Sequence, residues 1–267
     1  MIEAQRIAVA AHPRPRLTAI DCRAAHGEFV AVLGANGAGK STLLQVLAGD
    51  LRPTHGVVRM AGKALADWPL NALARQRAVL TQTDPRLPWT VEQLVALGRL
   101  PHLGAADDAR CIELALERTG LTALRTRSCL SLSAGEQGRV HFARCLAQIG
   151  TRTNGLLLLD EPVAHADLKH QHALLGAAKT YSCGGGVVVA VLHDLNQAMH
   201  YADTVLLLKD GCCVASGPPR DVLSERLLET VYDVPIRRAR SADGIEFFGV
   251  LPCPAGAVIP PLTARGA

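Results

Sequence analysis

Residues 34–41, GANGAGKS, fit G-x-x-x-x-G-K-[ST] in full. A stretch of this kind grips polyphosphate. Gly34, Gly37 and Gly39 permit backbone conformations that turn successive N–H groups inward around phosphate oxygens. Lys40 reaches the β- and γ-phosphates, and Ser41 offers a hydroxyl to Mg²⁺. The apolar run GEFVAVLG before the loop reads as a buried strand, and KSTLLQVLAG after it reads as a helix stopped by Gly49. That helix adds its positive end to the anion site. The nucleotide-contacting set is therefore Gly34, Ala35, Asn36, Gly37, Ala38, Gly39, Lys40, Ser41 and Thr42.

A second chemical element is LLLLDE, residues 156–161. Acidic residues that end apolar strands often serve only as surface caps. Beside a phosphate loop, Asp160 reads instead as a carboxylate for Mg²⁺ and Glu161 as a general base that polarises water. A third is LSAGEQGR, residues 132–139, where Ser133 and Glu136 form S-x-x-E, the capping box of a helix start. The plain reading is a helix start and nothing more. With Gly135 among its first N–H groups, the same end can also accept a γ-phosphate. One nucleotide contacting both helix starts of a single chain is crowded, because each approaches the phosphates end-on. Two chains facing each other remove the crowding.

The elements that must position these residues are legible in outline. Short strands are expected near 56–62 and 77–82, helices within 90–125 and over 139–149, and buried parallel strands at LLLLD and VVVAVLHD. TVLLLKDG followed by CCVASG reads as a terminal hairpin, and the stretch beyond residue 240 as irregular. The sum is an α/β core spanning 1–84 and 141–240, a helical insert at 85–140 and a tail at 241–267. Of 267 residues 49% are apolar, enough for a sizeable core. The net charge of +4 is mild, and Arg237, Arg238 and Arg240 read as a solvated patch, not a nucleic-acid stripe. Eight cysteines without a C-x-x-C pair suggest reduced thiols in a cytosolic protein. The N-terminal apolar run is too short for a signal peptide. The longest apolar run, VVVAVL, is far below the roughly 18–20 residues that span a bilayer. The expectation is a soluble chain, with any spanning done by another protein.

Taken together these residues resemble the ATP-binding cassette proteins, whose LSGGQ signature is similar to LSAGE here. The resemblance covers nearly the whole chain, in order: the phosphate loop, Gln82 ending RAVLTQ, residues 132–136, LLLLDE, an aspartate loop ending at Asp167, and His193 in VLHD. It implies a P-loop NTPase fold: a RecA-like core with an antiparallel β subdomain, plus an α-helical subdomain. It also implies that Gln82 contacts Mg²⁺ and the lytic water and links core to insert. His193, 32 residues after Glu161, would bond the γ-phosphate and hold the water and Glu161. ATP and Mg²⁺ are the implied cofactors, with Ser41, Gln82 and Asp160 around the metal and Ser133, Gly135 and Asp167 beside the nucleotide. His165, His170 and His172 lack a carboxylate or cysteine cluster and are expected to lie on a surface helix, not in a metal site.

Finer wording is similar to the ATPase subunits of bacterial iron-chelate importers: ALARQRAVLTQ, GRLPH (98–102), HDLNQAMHYADTVLLLKDG and SGPPRDVLSERLLETVYDV. Haemin importers share the first two; ferric-siderophore and vitamin B12 importers are near neighbours. The resemblance implies a homodimer peripheral to the cytoplasmic face of the inner membrane, bound to a transmembrane permease dimer and served indirectly by a periplasmic haem-binding protein. Three features depart from the family. No Phe, Tyr or Trp precedes Phe29 to stack on adenine, leaving His12, Arg14 or Arg16 as cation–π substitutes and implying weak discrimination between ATP and GTP. Ala134 replaces the first signature glycine, and Ala164 in PVAHAD lacks the usual hydroxyl. Both changes bear on the efficiency of hydrolysis. Two rival classes are weaker. A cassette ATPase working on DNA or ribosomes would carry a long coiled-coil insert or a tandem cassette, and a P-loop kinase would carry a lid in place of LSAGE.

Overall fold

A computed structural model describes residues 1–81, 87–102, 104–163 and 166–251. Its central sheet has six strands in the order β10-β9-β3-β8-β7-β6. These are β3 (Phe29–Gly34), β6 (Arg77–Leu80), β7 (Leu156–Asp160), β8 (Val187–Val191), β9 (Thr204–Lys209) and β10 (Cys212–Gly217). All neighbours pair in parallel except β10, which returns antiparallel along β9. The reason for the unbroken apolar runs is visible in β3. Phe29, Ala31 and Leu33 enter one core and Val30 and Val32 the other, so both faces are covered. β7 and β8 divide in the same way. Each fully buried Leu or Val there contributes about 1.5–3 kcal/mol relative to exposure.

One face carries α1 (Lys40–Ala48) and a separate antiparallel sheet, β2-β1-β4-β5, made of β1 (Ile2–Val9), β2 (Leu17–Ala24), β4 (His55–Met60) and β5 (Lys63–Ala64). The other face carries α5 (Ala134–Ile149), α6 (Leu168–Cys183) and α7 (Leu195–Tyr201). Against α5 pack α3 (Val91–Ala96), a 3₁₀ segment over Leu97–His102, and α4 (Asp108–Arg118). α2 (Leu70–Ala74) leads into β6. Helix α5 starts five residues earlier than its apolar periodicity indicates, because the Ser133 capping box is its N-terminus, and it runs unbroken past residue 140.

Two expectations need correction. The β9–β10 hairpin is not terminal: α8 (Pro219–Val222), α9 (Glu225–Tyr232), β11 (Ile236–Arg240) and β12 (Glu246–Val250) follow it. The stretch beyond residue 240 is not irregular through Val250, since β12 pairs antiparallel with β11. Phe248 anchors this hairpin by burying its ring. Its N–H donates to Asn196 Oδ1 at 2.7 Å, and its carbonyl accepts from Asn196 Nδ2 at 3.3 Å. Among the three clustered arginines, Arg237 pairs with Glu229 and Arg238 with Glu246, each at 2.6 Å.

Candidate nucleotide-binding site

The phosphate loop follows β3 and ends at α1. Two of its glycines are irreplaceable on steric grounds. At Gly34, φ is +147° and a Cβ would stand 2.2 Å from the Leu208 carbonyl oxygen; at Gly39, φ is +99° and a Cβ would meet the Arg16 oxygen at 2.7 Å. The loop is held from outside by two further bonds. Gly34 N–H donates to the Tyr232 hydroxyl at 3.1 Å, and Gly211 N–H in the β9–β10 turn donates to the Ala38 carbonyl at 3.1 Å. Sequence reasoning did not find Tyr232; a partner 198 residues away leaves no local signal.

Lys40 is buried and bends back over the loop, donating to the carbonyls of Gly34 at 2.8 Å and Ala35 at 3.0 Å. Burial lowers its pKa, and the carboxylates of Glu161 and Asp160 act in the opposite direction. Ser41 Oγ lies 3.2 Å from Asp160 Oδ1. Burial raises the Asp160 pKa, only partly offset by the Ser41 hydrogen bond. Glu161 has a left-handed backbone with φ +48°, a strained conformation for a non-glycine residue. Its Oε1 lies 2.6 Å from His193 Nε2. These side chains converge because β7, β3 and β8 end side by side at one edge of the parallel sheet, the position where such sheets bind ligands.

A cavity of about 550 Å³ opens there, lined by Arg16, Asn36, Gly37, Gly39, Lys40, Ser41, Thr42, Glu161 and His193. A second cavity of about 300 Å³ shares Ser41 and takes in Asp160 and Thr81. Thr81 directly precedes Gln82, which lies outside the described residues together with Ala164 and His165. Ser133 and Gly135 do not border either cavity. Ser133 is exposed and caps α5: its Oγ accepts from Glu136 N–H at 3.2 Å, while Glu136 accepts from Ser133 N–H at 2.8 Å. That backbone hydrogen bond holds the Glu136 carboxyl below its ordinary value. Asp167 caps α6 likewise, accepting from His170 N–H at 2.9 Å, and is also held low by that bond. His170 pairs with Asp167, and the His172 ring nitrogen meets the Tyr201 hydroxyl at 2.6 Å.

A loop of backbone amides between strand and helix, a buried lysine, a serine beside a strand-end aspartate and a glutamate paired with histidine define a P-loop NTPase. A family model described as "ABC transporter" matches residues 17–164, more than half the chain. The chain belongs to the ABC transporter family, as an ATPase subunit. Hemin import ATP-binding protein HmuV of Rhodopseudomonas palustris is 41% identical over 238 residues, covering 87% of this chain and 90% of that protein. Its namesake from Gloeobacter violaceus is 45% identical over 239 residues, covering 87% of each. Among solved structures, a metal-chelate type ABC transporter in an inward-facing conformation matches with a TM-score of 0.78 and 25% identity, covering 94% of this chain and 97% of that one.

Proposed function

We propose that this chain hydrolyses ATP to drive uptake of haemin through a separate membrane permease. The observation that carries the hydrolytic part is the Glu161–His193 pair, 2.6 Å apart, bordering the same cavity as Lys40 and Ser41. The haemin assignment is supported by the names of relatives similar over most of the chain, and a ferric-siderophore or vitamin B12 chelate is the alternative cargo.

In this reading the loop amides and Lys40 hold the phosphates, and Lys40 exchanges its two carbonyl partners for phosphate oxygens. Ser41 and Asp160 present a hydroxyl and a carboxylate 3.2 Å apart, an oxygen-donor pair suited to a small hard cation, with Gln82 completing the set. Mg²⁺ held there would neutralise charge on the β- and γ-phosphates. Glu161 takes a proton from the attacking water, and His193 fixes the orientation of that carboxylate. Ser133 and Gly135, absent from the lining of this cavity, come from a second copy facing the first, and Asp167, also absent from it, is assigned to the junction between the copies. Little covalent chemistry is asked of the protein, so positioning and charge stabilisation carry the rate.

The core (1–84 and 141–240) and the helical subdomain (85–140) would move relative to each other on closure, with the Gln82 region passing the motion outward. No helix among the described residues is long and apolar enough to cross a membrane. The assembly is a homodimer at the cytoplasmic face of the inner membrane, with a periplasmic haem-binding protein acting only through the permease. Leu70 and Leu100, 82% and 55% exposed, lie on α2 and the 97–102 turn, which touch through the Arg75–Pro101 hydrogen bond. They form the apolar surface this reading assigns to the permease. Glu161→Gln is expected to lower phosphate release by at least ~10²-fold and to leave an ATP-bound dimer visible by light scattering. Unchanged hydrolysis in that variant would remove Glu161 from the reaction.

A further inference from the structure

We propose that the chain carries a second ligand site, remote from the nucleotide, for a small dianion joined to an apolar body: a phosphate ester or a dicarboxylate. The site is a cavity of about 470 Å³, bordered by Arg152 and Thr153 in the turn before β7 and by Gly184 in the turn before β8. It lies where these strands begin, whereas the nucleotide cavity lies where they end. The five residues of β7 therefore hold the two sites roughly 15 Å apart. Cavities of this volume suit small-molecule ligands.

Two arginines border the cavity, Arg118 at the end of α4 and Arg152, and both are exposed. Neither side chain has a hydrogen-bond or ion-pair partner among the described residues. The plain role for such cations would be to cap α4, α5 and α6, which all end around the cavity. Those terminal carbonyls are already taken. In α4, the Thr119 hydroxyl donates to Ala115 at 2.8 Å and Leu116 at 3.3 Å, and Arg139 donates to the Thr119 carbonyl at 3.2 Å. In α5, Arg99 serves the Ala147 carbonyl at 2.9 Å, and a His102 ring nitrogen meets that of Gln148 at 2.9 Å. In α6, the N–H groups of Gly184, Gly185 and Gly186 donate to Thr180, Ser182 and Tyr181 at 3.1, 2.8 and 3.2 Å. Both guanidiniums are left uncommitted, and none of the ten residues lining the cavity is Asp or Glu. Two forked cations with no carboxylate between them call for two negative charges.

The floor of the cavity is apolar. Ala173 and Ala177 of α6 lie beside the Tyr181 ring. Tyr181 is 8% exposed and fixed in place: a Cβ on Gly155 would stand 2.6 Å from its hydroxyl, and one on Gly186 2.3 Å from its ring. Its hydroxyl donates to no acceptor among the described residues. With the Thr151 and Thr153 hydroxyls also on the border, donors for anionic oxygens stand beside a surface that takes the rest of the molecule. A ligand there touches the helical subdomain through α4 and the core through α6.

The test is calorimetric titration of the full chain with phenyl phosphate, benzene-1,3-dicarboxylate and inorganic phosphate. At least one aromatic probe is expected to bind about fivefold or more tighter than inorganic phosphate, because its ring covers the floor. The tighter of the two identifies the headgroup. Arg118→Gln and Arg152→Gln should each weaken that probe by about 5- to 30-fold. Ala177→Leu fills the floor but keeps both charges, and should weaken it by about fivefold or more. Lys40→Ala should leave it within about twofold, since the phosphate loop is far away. Thermal unfolding midpoints matching the wild type show that each variant is folded. Wild-type affinity in either arginine variant would overturn the proposal. Wild-type affinity in Ala177→Leu would do the same, reducing the site to a patch of charge. So would loss of the probe in Lys40→Ala, or no binding of either aromatic probe up to about 10 mM.

Discussion

At the scale of single residues, the site carries its tension in Asp160. Burial raises its pKa, so the native state holds that proton to higher pH than the unfolded chain does. For the ligand-free protein this means stability is lost as pH rises above the ordinary carboxylate value of 3.8 and through the raised one. Asp160→Asn keeps a partner for Ser41 but removes the buried charge. It should raise the midpoint of thermal unfolding at pH 7 without ligand by roughly 2–4 °C, about 1 kcal/mol, while abolishing Mg²⁺-dependent hydrolysis. Calorimetric scans at pH 7 and below the ordinary carboxylate value of 3.8 check this, and the gain should vanish at the lower pH, where the carboxyl is protonated in both states. Glu161 shows the same economy, with a left-handed backbone at the position proposed to activate water. Its pairing with His193 could not be derived from local spacing; it came from the family resemblance, whereas GANGAGKS and LLLLDE declared their chemistry in their own residues.

At the scale of elements, the GRLPH stretch works as a fastener. Arg99 is buried, donates to Asp107 at 3.0 Å, Asp108 at 2.7 Å and the Ala147 carbonyl at 2.9 Å, and so ties the 97–102 turn to α4 and α5. Helix α5 is tied in turn to the sheet: Arg144 donates to the Val79 carbonyl at 3.1 Å, and Gln148 to those of Ala74 and Arg77, each at 2.9 Å. Arg99→Ala removes a buried guanidinium and its bond to the Ala147 carbonyl while its two carboxylate partners stay partly solvated, and should cost about 1–3 kcal/mol in urea unfolding. Arg125→Ala, which removes an exposed pairing with Glu92 and Glu113, should leave the unfolding midpoint almost unmoved. Strands buried on both faces were readable because they are unbroken apolar runs up to their last residue. Residues 2–24 were not, because the pairing of β1 with β2 slips between Ala4 and Ile7 and again before Val9, and an alternation broken twice carries no clean period. β12 escaped for a similar reason: in EFFGV only Phe248 is buried, and its anchor, Asn196, is far away in the chain.

At the scale of the whole molecule, the proposed assembly makes separable demands on separate surfaces. Leu70→Glu combined with Leu100→Glu should leave hydrolysis by the isolated chain within about twofold, since neither side chain borders the nucleotide cavity. The same pair should sharply reduce co-purification with the permease, and retained binding would move the docking surface elsewhere. The tie between Gly34 and Tyr232 has a different consequence. Every residue proposed to grip phosphate lies at or before His193, yet the strand end that launches the loop is braced by a hydroxyl from α9, the last helix among the described residues. While the polypeptide is still being synthesised, it therefore carries all its phosphate ligands before the brace arrives. The hydrogen bond that fixes the launching strand end is therefore complete only after Tyr232 has left the ribosome.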